Sequence, residues 1–190
     1  MNTKKIIGLL KNLPKGYISL DEIVNYLKVD RNTVKVTLSR LTRQKEIIQL
    51  GYGYYALNLP AVDFEQLACE MVYPAYLSLE YALSLHGILS QVPAALTLIT
   101  PKRTASKAVA NHTLEYSHIN PKLFFGYKID KHALIAYPEK ALLDALYLVG
   151  LKKRAINLSE LNLSKINRKK FKQWLRVYPK STQAQSPFKI

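Results

Sequence analysis

Two helix starts lying close together near the N-terminus constrain the fold of this chain more than any other feature. The segment Ser19 to Glu22 has the spacing of a capping box, in which a serine hydroxyl and a glutamate carboxylate satisfy each other's backbone amides. Asp30 is placed to cap the next helix, because its carboxylate can accept the free amide hydrogens of a first turn. The pattern therefore predicts two short helices joined by a tight turn, a helix-turn-helix.

The helix expected over Asp30 to Lys45 has one apolar face and one polar face. Val34, Leu38 and Leu41 fall at helical spacing, which predicts that they face a core. The opposite face carries guanidinium, amide, hydroxyl and apolar groups, which are the groups that read base edges in a major groove. We predict that the following residues bind DNA: Asn32, Lys35, Val36, Ser39, Arg40 and Arg43. The alternative is a solvated face that only keeps the helix soluble.

A hairpin is expected after this helix. Residues 47–50 and 54–57 have the composition of strands, and Gly51-Tyr52-Gly53 between them suits a tip, since glycines accept positive φ. With a first helix from Thr3 to about Pro14, the order predicts a winged helix-turn-helix DNA-binding domain over residues 1–60. Tyr52 is predicted to lie against the sugar-phosphate backbone, or alternatively to serve sheet packing. Winged helices also bind proteins, so this fold alone does not establish DNA binding.

The remaining residues, 61–190, predict an α+β domain with a small sheet, so that the whole chain belongs to the α+β class. Strands are expected over 95–100, 113–118, 123–128 and 133–135. Helices are expected over 64–71, 79–85 (capped by Ser78), 139–149, from about 158, and after Asn167. Lys140 and Asp144 are four residues apart and so could pair on one helix face. The end of the chain, from Pro179 onward, is expected to be loose.

The net charge of +15 is distributed unevenly. Residues 1–60 hold ten Lys or Arg against four Asp or Glu, residues 61–150 hold seven against eight, and residues 151–190 hold eleven against one. Basic ends favour a polyanionic partner, because Lys and Arg supply most of the non-specific affinity for nucleic acid. The last helix offers a possible second basic surface, formed by Arg168, Lys169, Lys170, Lys172 and Arg176. The alternative is a packed terminal helix with its lysines in water.

No catalytic, metal-binding or cofactor-binding pattern is found in the sequence. Cys69 is the single cysteine, and the four histidines lack helical metal-ligand spacing. The sequence has no apolar run near the roughly 18 residues of a membrane span and no signal-peptide cleavage site. We therefore expect a cytoplasmic protein that is not an enzyme, has no cofactor and does not contact membranes. An enzyme acting on nucleic acid is the disfavoured alternative, because paired carboxylates are missing.

Four segments that follow the predicted winged helix resemble the AbiEi family of type IV antitoxins. They are YLSLEYALSLHGIL, ALTLITPKR, FGYKI and AYPEKALLDALYL, of which the portion Pro138 to Asp144 is the most specific. The resemblance implies an autorepressor that binds repeats in its own promoter as double-stranded DNA. It also implies an antitoxin that counteracts a nucleotidyltransferase-like toxin, commonly without a stable complex. The alternative is a stand-alone winged-helix regulator whose C-terminal domain senses a ligand or dimerises.

Overall fold

The computed structural model describes residues 3–188, which form two compact units. The first unit ends at Leu67 and the second begins at Ala68. The elements of the N-terminal unit are α1 (Thr3–Asn12), β1 (Tyr17–Ser19), α2 (Leu20–Leu27), α3 (Arg31–Arg43), β2 (Ile48–Gly51), β3 (Tyr54–Ala56) and the first half of α4 (Phe64–Met71).

Both predicted helix caps of the N-terminal unit are confirmed. The Ser19 hydroxyl accepts from the Glu22 amide at 3.1 Å, while the Glu22 carboxylate accepts from the Ser19 amide at 2.7 Å. At the start of α3, the Asp30 carboxylate accepts from the amides of Asn32 at 2.9 Å and Thr33 at 3.0 Å. Because these bonds satisfy free donors of each first turn, α2 and α3 begin at the predicted places.

The core of the N-terminal unit is formed where the three helices meet the sheet. Val34, Leu38 and Leu41 are 0% exposed, which confirms the predicted inward face of α3. They pack in one cluster with apolar side chains from the other elements: Ile6, Leu10, Ile18, Leu20, Ile23, Ile47 and Tyr55. Burying each such side chain is worth about 1.5–3 kcal/mol, so this contact fixes how α3 lies against its own unit.

The predicted hairpin is confirmed as β2 and β3, with β1 added on the far side of β3 in an antiparallel sheet of order β1-β3-β2. Gly51 and Gly53 have φ values of +101° and +84°, which favour glycine at these two positions. The register shifts between Gln49 and Gly51. The Gly53 carbonyl accepts from the Leu20 amide at 2.8 Å, and this bond ties the hairpin tip to the start of α2.

The C-terminal unit is α+β, as the sequence predicts, but its sheet is larger than the small one expected. Its elements after α4 are β4 (Tyr76–Leu77), α5 (Leu79–Leu85), β5 (Ala95–Thr100), β6 (Ala105–Val109), β7 (His112–His118), β8 (Tyr127–Asp130), β9 (Ala133–Ala136), α6 (Pro138–Gly150), α7 (Arg168–Leu175) and α8 (Lys180–Gln183). The described strands form one mixed six-stranded sheet of order β6-β7-β5-β4-β9-β8.

The strand predictions for this sheet are confirmed for β5, β7 and β9 and need one correction. The strand expected over 123–128 is misplaced, because Pro121–Leu123 forms a 3₁₀ turn capped by the Asn120 side chain and the strand begins only at Tyr127. The strands β4 and β6 were not predicted. β4 has two residues and lies between β5 and β9, while β6 pairs antiparallel with β7.

Helix α6 is the central helix of the C-terminal unit, and every residue from Glu139 to Leu148 is buried. Pro138 occupies the first helical turn as predicted. Ser78 occupies the N-cap position of α5, but its hydroxyl donates to Asp144 of α6 at 2.8 Å and makes no cap bond. The predicted capping role of Ser78 is therefore wrong, because a buried carboxylate takes the hydroxyl instead.

The segment before α7 contains a five-residue repeat in place of the helix expected from about residue 158. Asn157, Asn162 and Asn167 each accept, through the side chain, an amide hydrogen of the turn that follows. The first two turns are the 3₁₀ turns Leu158–Glu160 and Leu163–Lys165. The last residues of the three repeats, Leu161, Ile166 and Phe171, are buried. Each asparagine side chain caps a new turn or helix, so no continuous helix forms across this segment.

The predicted loose tail is also wrong for the residues that the structure describes. α8 forms over Lys180–Gln183, and Thr182 and Phe188 are 0% and 9% exposed. The Phe188 ring packs edge-on against Phe171 of α7 with 5.1 Å between ring centroids. Residues 189 and 190 of the predicted tail lie outside the described residues.

Candidate nucleic-acid interface

The outer face of α3 holds the predicted DNA-binding side chains in exposed positions. All six of these residues are exposed to solvent: Asn32, Lys35, Val36, Ser39, Arg40 and Arg43. Val36 is 71% exposed, although its neighbour Thr37 is 7% exposed and donates its hydroxyl to the Thr33 carbonyl at 3.0 Å. Three positively charged groups, an amide, a hydroxyl and an apolar side chain therefore project from one helix whose other face is fixed in the core.

The start of α3 is held against α2 by an ion pair on the surface. Arg31, the first residue of α3, donates to the Asp21 carboxylate of α2. Lys15 pairs with Glu22 of α2 at 2.6 Å in the same way. In this unit the carboxylates of Asp21 and Glu22 are thus neutralised by nearby cations, while Asp30 is engaged in the cap. These contacts reduce the repulsion that a polyanion would meet from α2.

Arg40 has a contact that the sequence did not predict. Its guanidinium Nη2 donates to the Thr3 hydroxyl oxygen at 2.9 Å, so that the start of α1 and the third turn of α3 are joined. Lys4 and Lys5, the next residues of α1, are exposed. The candidate interface therefore extends to the first turn of α1, and no local pattern could have shown this because Thr3 and Arg40 are far apart in sequence.

The hairpin tip presents Tyr52 as predicted. Tyr52 is 58% exposed and has a φ of +54°, a left-handed conformation that turns the chain between Gly51 and Gly53. The tip lies in the same unit as α3 and is anchored to α2 through Gly53. A rigid tip that carries an amphipathic ring can approach a sugar-phosphate backbone.

The predicted second basic surface on α7 is partly engaged within its own unit. Lys170 pairs with Glu139 of α6 at 3.4 Å and lies over the Tyr137 ring at 3.6 Å. The Arg168 guanidinium lies 5.2 Å from the centroid of the Phe188 ring. Lys169, Lys172 and Arg176 are exposed. The structure therefore uses two of the five cations to pack the C-terminal segment.

A buried polar centre occupies the C-terminal unit around Asp144, which is 0% exposed. Its carboxylate accepts from the hydroxyls of Ser78 at 2.8 Å, Tyr76 at 2.9 Å and Tyr178 at 3.2 Å, and from the Lys140 ammonium. The predicted Lys140–Asp144 pair thus exists, and it is fully buried. With so many partners on one enclosed carboxylate, the centre joins α6 to β4, α5 and the end of α7.

The ionisation of this centre follows from its burial. Burial raises the pKa of Tyr76 and Tyr178 well above the ordinary value, and the negative charge of Asp144 adds to the effect. Burial also lowers the pKa of Lys140, while the contact with Asp144 opposes that shift. The arrangement stabilises one charged pair with neutral tyrosines around it and leaves no side chain open to a substrate.

No family model matches the chain, and no curated protein matches it. Within residues 3–188 no group of three or more His, Cys, Asp or Glu side chains is arranged to hold a metal ion. In the same part of the chain, no helix has both the length and the apolarity needed to cross a bilayer.

Proposed function

We propose that the N-terminal unit is a winged helix that binds duplex DNA, with α3 in the major groove and the β2–β3 tip at the backbone. The observation that carries this proposal is the outer face of α3, on which all six predicted side chains are exposed while the inner face is fully buried. Asn and Arg at such a face match adenine and guanine edges, and the Val36 side chain matches a thymine methyl.

The charge of this region supports the same proposal. Residues 1–60 hold ten Lys or Arg against four Asp or Glu, and two of those carboxylates already pair with Lys15 and Arg31. The net positive charge of this region attracts a phosphate backbone before any base is read.

The proposal for the whole chain is a transcriptional autorepressor that is also the antitoxin of a type IV system. The resemblance of the segments around β4–α5, β5, β8 and α6 to the AbiEi family supports this role. The proposed partners are repeats in the chain's own promoter and a nucleotidyltransferase-like toxin. The proposal places the protein in the cytoplasm and assigns it no enzymatic activity and no cofactor.

Gel retardation tests the DNA-binding half of the proposal. The purified chain is titrated against the duplex upstream of its own gene and against a duplex of equal length from inside the gene. The proposal predicts retardation of the upstream duplex at clearly lower protein concentration. Equal retardation of both duplexes, or none, would contradict it.

A growth assay tests the antitoxin half. The neighbouring gene is expressed with and without this chain, and rescue of growth by the chain is the expected result. If the neighbour does not impair growth, or if the chain does not relieve the impairment, the antitoxin role is rejected. Specific binding to the upstream duplex without rescue would then favour the stand-alone regulator.

A further inference from the structure

A groove in the C-terminal unit shares no lining residue with the outer face of α3 or with the buried centre around Asp144. It has a volume of about 780 Å³ and is built from the end of α4, the turn after β5, the strand β6 and the end of β7. Val72, Pro101 and Ala105 supply apolar surface, and Lys102, Arg103 and Lys107 supply positive charge. Thr104 and His118 complete its lining within the described residues.

The turn that carries the charges is held by hydrogen bonds. The Thr100 hydroxyl donates to the Pro74 carbonyl at 2.7 Å and accepts from the Lys102 amide at 3.2 Å. At the other side, the His118 amide donates to the Thr104 hydroxyl at 3.2 Å. A fixed turn costs less entropy to order when it meets a ligand, which favours binding.

The polar groups of the groove are suited to an anion. Lys102 and Arg103 are exposed and have no ion-pair partner among residues 3–188, and the described lining contains no carboxylate. His118 Nδ1 lies 2.9 Å from the Lys102 carbonyl, which only accepts, so Nδ1 carries the hydrogen and this bond also holds the turn.

We propose that this groove binds a nucleoside phosphate, with the phosphate on Lys102 and Arg103 and the base on the apolar surface of Val72, Pro101 and Ala105. The two cations match the charge of about −2 that a phosphate monoester carries and that a single carboxylate does not. The volume lies within the roughly 300–1,000 Å³ of small-molecule sites. Duplex DNA would use the surface cations but would leave the apolar surface uncovered, because its bases are stacked inside the helix.

A free nucleotide and the end of a single strand both carry such a phosphate, and the test separates these two sources. Calorimetric titrations of the whole chain use AMP, adenosine, inorganic phosphate and a tetranucleotide with or without a 5′-phosphate. We expect AMP or the 5′-phosphorylated tetranucleotide to bind, and adenosine and the unphosphorylated strand to bind much more weakly. Binding of AMP identifies a free nucleotide as sufficient, while binding of the phosphorylated strand alone identifies a strand end.

The variant Lys102→Ala/Arg103→Ala is compared with Lys122→Ala/Lys128→Ala, which removes the same charge from exposed positions elsewhere in the unit. We expect the first variant to weaken binding about tenfold or more and the second to leave it unchanged. Amide NMR shifts on addition of AMP or the phosphorylated strand, centred on residues 101–107 and 118, provide a readout that does not depend on variants.

Three results would overturn the proposal. The first is no binding of any phosphorylated probe at millimolar concentration. The second is equal weakening by the two double variants, which would show a diffuse charge effect. The third is loss of affinity for the upstream duplex in the Lys102→Ala/Arg103→Ala variant without nucleotide binding, which would assign the groove to DNA. The inference does not depend on the proposed function, since DNA binding by α3 and nucleotide binding by the groove are measured separately.

Discussion

Arg40 differs from the other predicted DNA-binding side chains of α3 because its guanidinium is already held by a contact within its own unit. The Thr3 hydroxyl accepts from Arg40 Nη2, and both residues remain partly or fully exposed. A guanidinium that is held in place loses less rotamer entropy when it meets a phosphate or a base. We therefore expect Thr3 to position Arg40 for DNA.

Replacing Thr3 by valine tests this role, because valine keeps the shape and removes the acceptor. We expect Thr3→Val to weaken binding to the upstream duplex by about 0.5–1.5 kcal/mol, which is less than the loss from Arg40→Ala. Thr3→Ser keeps the hydroxyl and should retain most of the affinity. Unchanged or tighter binding by Thr3→Val, measured by fluorescence anisotropy, would show that the contact does not prepare Arg40 for DNA.

Asp144 illustrates the opposite case, a charged residue with no route to solvent. Its four partners make the carboxylate part of the interior, and we expect Asp144→Asn to destabilise the C-terminal unit by about 3–5 kcal/mol, because Lys140 would keep a buried charge without its counter-charge. The fluorescence of Trp174, the single tryptophan, during urea unfolding reports this change. The exposed Glu160→Gln serves as control and should lie within about 0.5 kcal/mol of the parent. A similar small change in both variants would contradict the account.

At the scale of elements, the segments with strong local signals were predictable from sequence. The capping box of α2, the Asp30 cap of α3 and the glycines of the β2–β3 tip all depend on residues close in sequence, and all three are confirmed. The exposed face of α3 was predictable for the same reason, since helical spacing alone separates its two faces.

Elements defined by distant neighbours were not predictable. β4 has two residues and is a strand only because β5 and β9 flank it, and β6 depends on its pairing with β7. Residues 179–188 pack on the C-terminal unit because Phe188 contacts Phe171, and no local pattern predicts this contact. At the candidate site, the sequence did not predict the contact of Thr3 with Arg40. It also did not predict that Lys170 and Arg168 pack inside the C-terminal unit. Each of these contacts joins residues that are far apart in sequence.

The capping box gives a prediction at this scale. Ser19→Ala should destabilise α2 by about 1 kcal/mol, because one amide of the first turn loses its acceptor. Ser39→Ala, on the exposed middle of α3, is the matched control and should change helix stability much less. Hydrogen exchange of the α2 and α3 amides in the whole chain measures both. Equal protection of α2 in the parent and in Ser19→Ala would contradict the contribution of the cap.

At the scale of the whole molecule, the side chains that carry the two proposals lie in different units. The N-terminal unit combines a basic surface with exposed polar groups on α3, and the C-terminal unit combines a buried ionic centre with a basic groove. Affinity that rests on phosphate contacts falls steeply with salt, whereas affinity from base contacts appears as a difference between sequences. A comparison of two duplexes therefore separates the proposed base reading by α3 from the general attraction of a chain with a charge of +15.

The most direct measurement is the affinity of Arg43→Ala for the upstream duplex and for a shuffled duplex of the same composition. Arg43 is exposed on α3, and the account predicts a loss of about 1–3 kcal/mol on the upstream duplex with a smaller loss on the shuffled one. Lys128→Ala, which removes a charge from the C-terminal unit, should leave the ratio of the two affinities unchanged. If Arg43→Ala binds both duplexes as the parent does, or loses equally on both, α3 does not read bases and the central claim is wrong.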